Sequence, residues 1–196
     1  MVSTEPKTER DTEPPTAGGA PPSRRIGTLA AAAIVLLILD VVSKALVVAN
    51  LEGRPPVRLL GGLIYLDVIR NAGAAFSMAT GMTWVFSVVM IAVAIAIVWV
   101  APRLRSTGWA LGLGLVLAGA LGNLIDRLFR GPGPMRGYVV DFLSLFFPYG
   151  EHFAVFNVAD CGITVGGAVI AVMALLGRDY DGTRMRERKA SAEGNA

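Results

Sequence analysis

The sequence predicts an all-α membrane protein of four transmembrane helices, with strand-like runs in the connection between helices 1 and 2. Three observations predict it. Of 196 residues, 54% are hydrophobic and only 17% charged, with a mean hydropathy of +0.57. Soluble chains are nearer to roughly 45–50% apolar and about 25% charged. The apolar residues form four runs, each near the ~20 residues that cross a ~30 Å hydrocarbon core as a helix. The charged residues gather at the two ends and in the short connections. Runs this long exceed a barrel strand, and in lipid only helices and closed barrels satisfy the backbone.

Residues 1–23 are rich in Pro, Thr, Glu and Gly, with almost no large apolar side chains. Such a composition does not offset the entropy of ordering, so a disordered cytoplasmic tail is expected. The membrane domain is expected over 24–177, with spans at about 26–49, 82–101, 109–128 and 154–177. Residues 178–196 follow as a polar, basic tail carrying Arg184, Arg186, Arg188 and Lys189.

Positive charge sets the orientation. Arg24 and Arg25 precede the first run, Arg103 and Arg105 lie in the second connection, and the basic tail follows the fourth run. Four crossings put all three on one side, which is read as cytoplasmic, with both termini inside. Ser23-Arg24-Arg25 also looks like a twin-arginine export signal, but three more spans follow, so a positive anchor for the first helix is the better reading.

Two connections then face outward. The first, about Asn50–Gly81, holds Val57-Arg58-Leu59-Leu60 and Leu63-Ile64-Tyr65-Leu66-Asp67-Val68-Ile69 between Gly and Pro punctuation, as short strands do. The second, about Phe129–Phe153, is rich in Gly, Pro and aromatics, among them Phe142, Phe146, Phe147 and Tyr149, which suit an interfacial belt.

The depth of the polar residues carries the functional signal. An ionised side chain mid-span costs about 2.5–3.5 kcal/mol on insertion scales, so its presence calls for a reason. At 1.5 Å rise per residue, Asp40 lies roughly 20 Å from the inner end of the first helix, with Lys44 one turn further out. Asn123 lies at about 21 Å along the third helix, with Asp126 and Arg127 one turn beyond. Counted inward from Ala154 on the outer side, Asn157 and Asp160 lie at about 5 and 9 Å. All converge on the outer third of the membrane, and the second outer loop is able to bring Asp141 back to the same level. Asp40–Lys44, Asn123–Arg127 and Asn157–Asp160 are i,i+4 and i,i+3 pairs, which favours a shared cavity. Plainer readings stand beside this: an ion pair that eases insertion for Asp40–Lys44, interhelical hydrogen bonding for Asn123, Asp126 and Arg127, and an ordinary loop carboxylate for Asp141. The glycines at 112, 114, 119, 122, 162, 166 and 167 are read as close helix packing alone.

Several chemistries are excluded. Cys161 is the only cysteine, so there is no internal disulfide framework or cysteine-rich metal site. His152 is the only histidine, which removes His-x-x-x-His zinc sites; it is read as a loop or interface residue, and Cys161 as a packing residue. No cofactor, metal or nucleic-acid partner is expected. Ser43 beside Lys44 raises a Ser–Lys protease, but adjacent helix positions do not face each other. A small proton-coupled transporter, with Asp40, Asp126 and Asp160 as a relay, is the alternative from another class. It needs ionisable groups reaching both faces, and runs two and four have none in their inner halves.

Five segments resemble, in order, the motifs of the lipoprotein signal peptidases (signal peptidase II). They are Asp40-Val41-Val42-Ser43-Lys44, Asn71-Ala72-Gly73-Ala74-Ala75-Phe76-Ser77, Gly122-Asn123-Leu124-Ile125-Asp126-Arg127, Val139-Val140-Asp141-Phe142 and Phe156-Asn157-Val158-Ala159-Asp160. The resemblance spans about Ile26 to Gly177. It implies an aspartic endopeptidase of the bacterial inner membrane, surrounded by lipid, that cuts lipid-modified prolipoproteins just before a diacylglyceryl-bearing cysteine. A monomer is expected, though no residue pattern in the sequence sets the oligomeric state. It places the catalytic pair on Asp141 and Asp160, supporting roles on Asn71, Asn123, Arg127 and Asn157, and structural roles on Asp40, Lys44 and Asp126. It also implies that the first outer loop forms a small extracytoplasmic β-cradle between helices 1 and 2.

Overall fold

The computed structural model describes residues 23–73 and 83–183. Residues 1–22 and 184–196 of the expected tails, Ala74–Ser77 of the second motif, and Met82 at the start of the second run lie outside the described residues. Four helices are long and apolar enough to cross a membrane: α1 (Ile26–Leu51), α2 (Thr83–Val100), α3 (Thr107–Phe129) and α4 (Val158–Leu175). Three strands, β1 (Val57–Leu59), β2 (Ile64–Asn71) and β3 (Val139–Leu145), form an antiparallel sheet in the order β1-β2-β3.

The third helix is the hub. Buried residues make up 56% of its apolar stretch, against 22%, 17% and 17% for α1, α2 and α4. Ile34, Ile38 and Leu46 of α1, Ile95, Val98 and Trp99 of α2, and Val165, Val172 and Leu175 of α4 stay exposed, the surface a bilayer covers. Small residues let the backbones close in. A Cβ on Gly166 of α4 would sit 2.6 Å from the Gly112 carbonyl oxygen of α3.

The sheet corrects the sequence-based picture in one respect. β1 and β2 lie where the strand-like runs predict, but β3 comes from the second connection, between α3 and α4, and pairs Asn71 with Val139 and Ile69 with Asp141. A bridge from Leu143 to Phe156 then leads the chain into α4. That bridge shortens the fourth span: α4 starts at Val158 rather than Ala154, because Phe156 is held extended and Asn157 caps the helix.

The opposite end of the bundle is tied by main-chain bonds. The Arg25 N–H donates to the Leu104 carbonyl at 2.9 Å, and the Arg105 and Ser106 N–H groups donate to Tyr180 at 2.9 and 3.2 Å. Trp109 Nε1 donates to the Arg178 carbonyl at 2.8 Å, so the residues after α4 fold back onto the α2–α3 connection.

Candidate active site

The sheet end of the bundle brings together Asn71, Asn123, Arg127, Asp141, Asn157 and Asp160. Antiparallel pairing puts Asn71 and Asp141 on one face of the sheet, diagonally across β2 and β3. Asn71 Nδ2 accordingly donates to Asp141 Oδ2 at 2.8 Å. Asn71 Oδ1 turns back to accept the Gly73 N–H at 2.9 Å, fixing the amide.

Asp160 is placed by a helix start. Asn157 Oδ1 accepts the Asp160 N–H at 3.0 Å, and Asp160 Oδ2 accepts the Asn157 N–H at 3.1 Å, a reciprocal capping box. The two residues therefore lie at the N-cap and third position of α4, rather than inside a helix begun at Ala154.

Two carboxamides connect the carboxylates. Asn157 Nδ2 donates to Asp141 Oδ1 at 2.6 Å and to Asn123 Oδ1 at 3.1 Å. Asn123 Nδ2 then donates to Asp160 Oδ1 at 2.7 Å. Asn157 is fully buried behind the pair. Asp141 is 3% exposed, and burial is the main reason its carboxyl is pushed from 3.8 to about 7, with the nearby Asp160 charge adding to the effect against hydrogen bonds from Asn71 and Asn157.

Arg127 shares the cavity with Asn123, its i,i+4 neighbour on α3, but turns to different partners. Its Nη2 donates to the Gly73 carbonyl at 3.0 Å and Nη1 to the Gly137 carbonyl at 3.4 Å. The guanidinium lies 5.5 Å from the Phe86 ring centroid. It thus holds the chain leaving β2 to the chain entering β3, while Asn123 turns to Lys44, Asn157 and Asp160.

Behind the carboxylates lies a buried ion cluster. Lys44 Nζ is 2.8 Å from Asp40 Oδ2, 3.1 Å from Asp126 Oδ2 and 3.0 Å from Asn123 Oδ1. Asp126 also pairs with Arg130. Burial of this kind is tolerable only where charges are paired and remaining lone pairs are hydrogen-bonded.

In front lies a cavity of about 580 Å³. Asn71, Asn123, Arg127, Asp141 and Asp160 give it a polar side; Phe86 and Met90 of α2, with Phe153, Phe156, Ile163 and Val165, give it an apolar wall. Cys161 also lines it, whereas His152 is exposed and meets only the edge of Phe147, at 4.3 Å between centroids, among ring contacts of the described residues. No group of three or more metal-ligating side chains occurs among the described residues.

Some contributors were not foreseen. Thr83 and Ser87, both buried on α2, donate to the carbonyls of Ala72 and Met135 and so fasten both loops that flank the cavity. Two hydroxyls in an otherwise apolar run were the available signal. β3 itself was missed because Val139-Val140-Asp141-Phe142 is buried on both faces and shows no alternation.

Comparison with known proteins follows the same outline. The family described as Signal peptidase (SPase) II matches residues 32–176. The lipoprotein signal peptidase of Rhodococcus jostii (strain RHA1) is 47% identical over 194 residues, covering 93% of this chain and 95% of that protein. That of Mycobacterium avium (strain 104) is 45% identical over 181 residues, covering 91% and 96%. A bacterial membrane enzyme solved by the in meso method at 2.3 Å superposes with a TM-score of 0.69 at 28% identity, covering 80% of this chain and 92% of the other.

Proposed function

This chain belongs to the signal peptidase II family, and on that premise we propose that it is an aspartic endopeptidase. It removes the signal peptide from diacylglyceryl-modified prolipoproteins, cutting before the lipidated cysteine. The observation that carries this reading is that Asp141 and Asp160, bridged through Asn157 and Asn123, open on one cavity that is polar on one side and apolar on the other.

The chemistry follows from two carboxylates with unequal surroundings. A proton shared by the pair rests on the buried Asp141, whose carboxyl titrates at about 7. Asp160 takes a proton from water as the water oxygen attacks the scissile carbonyl carbon. Asp141 gives its proton to the carbonyl oxygen, forming a gem-diol. As the C–N bond breaks, Asp160 passes its proton to the departing amine, and Asp141 regains one from a gem-diol hydroxyl. The lipid chains stay against the apolar wall and bilayer while water arrives from the sheet end.

The site lies at the end of the bundle opposite Arg24, Arg25, Arg103, Arg105 and Arg178. With Arg184, Arg186, Arg188 and Lys189 of the following sequence, the basic residues on that side outnumber Arg54, Arg58, Arg70, Arg130 and Arg136 at the site end. The positive-inside rule therefore supports cytoplasmic termini and a site near the outer face, and membership of the family supports residence in the bacterial inner membrane.

The test is cleavage of a lipidated prolipoprotein in liposomes by wild type, Asp141→Asn and Asp160→Asn, each checked for insertion. Loss in both variants, with chelator-resistant wild-type activity, supports the dyad. Near-normal cleavage by either variant removes it and turns attention to Asp126 or Asp40.

A further inference from the structure

The buried cluster of Asp40, Lys44 and Asp126 touches the main chain at two telling points. Asp40 Oδ1 accepts the N–H of Ala159, the residue before Asp160, at 2.8 Å. Asp126 Oδ2 accepts the N–H of Val140, the residue before Asp141, at 3.2 Å. Lys44 bridges the two acids, and its third bond, to Asn123 Oδ1, leaves Asn123 Nδ2 facing Asp160.

We propose that Asp40, Lys44 and Asp126 are positioning residues that set the separation and mutual orientation of the dyad. Each acid holds the peptide group ahead of one dyad carboxylate, and Lys44 holds the two acids together and fixes the Asn123 amide. This inference rests on the dyad reading above. An ion pair that served insertion alone would need neither backbone bond. Either acid could satisfy Lys44 without reaching β3 or α4, yet both spend a carboxylate oxygen on the N–H of the residue that precedes an active-site aspartate.

The geometry also separates charge from reach. In Asp126→Asn a side-chain oxygen remains to accept the Val140 N–H; in Asp126→Leu it is gone. Misplacement of a reacting group by about 1 Å costs on the order of 100-fold in rate. Asp126→Leu is therefore expected to lower kcat about 100-fold with KM little changed, and Asp126→Asn to stay within about threefold of wild type.

The pH profile supplies a readout that a merely structural role does not move. Asp141 is faced by Asp160 from α4, Lys44 from α1 and Arg127 from α3, with Asp126 of α3 paired to Lys44 and bonded to the neighbouring Val140 N–H. From β2 it meets the uncharged Asn71, and α2 brings Phe86 and Met90 to the cavity. The Lys44 charge favours ionised Asp141, so Lys44→Met is expected to move the alkaline limb of the cleavage profile to higher pH.

The experiment measures kcat, KM and pH profile on a lipidated prolipoprotein in liposomes for Asp126→Leu, Asp126→Asn and Lys44→Met, beside Asp141→Asn and Asp160→Asn. The proposal is supported if Asp126→Asn retains kcat while Asp126→Leu loses it and Lys44→Met shifts the limb. It is overturned if Asp126→Leu inserts and cleaves normally, or if Asp126→Asn is as impaired as Asp126→Leu. Should the leucine variant fail to insert, retention of kcat by Asp126→Asn supports the proposal and a large loss overturns it. Normal cleavage by a dyad variant instead refutes the dyad itself, a separate outcome.

Discussion

Replacing Asn157 with alanine removes three interactions from one fully buried side chain. Nδ2 loses Asp141 Oδ1 at 2.6 Å and Asn123 Oδ1 at 3.1 Å, and Oδ1 loses the Asp160 N–H at 3.0 Å. Loss of a helix N-cap costs about 1 kcal/mol, and each of the other two hydrogen bonds, to the protonated Asp141 and to the Asn123 amide, about 0.5–1.5 kcal/mol. A destabilisation of roughly 2–4 kcal/mol is expected, reduced by any cavity water that replaces the amide. Cleavage should fall further than stability does, because the same change unlinks the two carboxylates. Asn157→Asp separates the two effects. Aspartate caps helices as well as asparagine, so α4 should keep its start, but a third carboxylate beside Asp141 repels its ionisation and offers no N–H to Asn123. The assay pairs thermal unfolding in detergent micelles with prolipoprotein cleavage for both variants. Unchanged melting in Asn157→Ala, or wild-type cleavage by Asn157→Asp, would refute the reasoning.

Two further predictions come from the same geometry. Because burial lifts the Asp141 carboxyl to about 7, cleavage should decline through about pH 7 as the proton-donating partner ionises; a rate that stays flat from pH 6 to 9 sinks this assignment. The sign for stability agrees: folded Asp141 keeps a proton that the unfolded chain releases near 3.8, so its contribution is full below that pH and lost as pH rises through about 7, measurable as micellar unfolding against pH. At the α3–α4 crossing, where a Cβ on Gly166 would meet the Gly112 carbonyl at 2.6 Å and Val116 Cγ2 at 2.9 Å, Gly166→Val should cost about 1–3 kcal/mol by overpacking; an unchanged melting temperature would show that the helices slide apart freely.

Much of the site was legible because the membrane makes polar residues expensive. The depth count used only rise per residue, yet it drew Asp40, Lys44, Asn123, Asp126, Arg127 and Asp160 to one level, and the structure puts all of them within one connected polar region. What depth does not encode is direction. Asn123 and Arg127 share a helix face, but one amide turns to the carboxylates while the guanidinium reaches loop carbonyls that hydropathy does not register. The start of α4 was misplaced for a related reason. Ala154, Val155 and Phe156 read as span, but Phe156 is apolar because it pairs with Leu143 and lines the cavity. In a protein this apolar, hydrophobicity does not separate helix from buried strand.

The glycines show how the sequence pattern and the site meet. Read alone, Gly122 is one more small residue in a packing helix. Its missing side chain leaves the space into which Asp40 Oδ2 projects, with the Ala159 methyl 3.2 Å from where a Cβ would stand. At this level α1, α3 and α4 approach one another closely enough for a carboxylate on the first helix to reach the main chain of the fourth. A larger residue there would press first on Asp40 and then, through Lys44 and Ala159, on the segments carrying Asn123 and Asp160. Close packing and the polar network are thus one requirement: the charged cluster avoids an unpaired buried carboxylate only where the helix backbones almost touch.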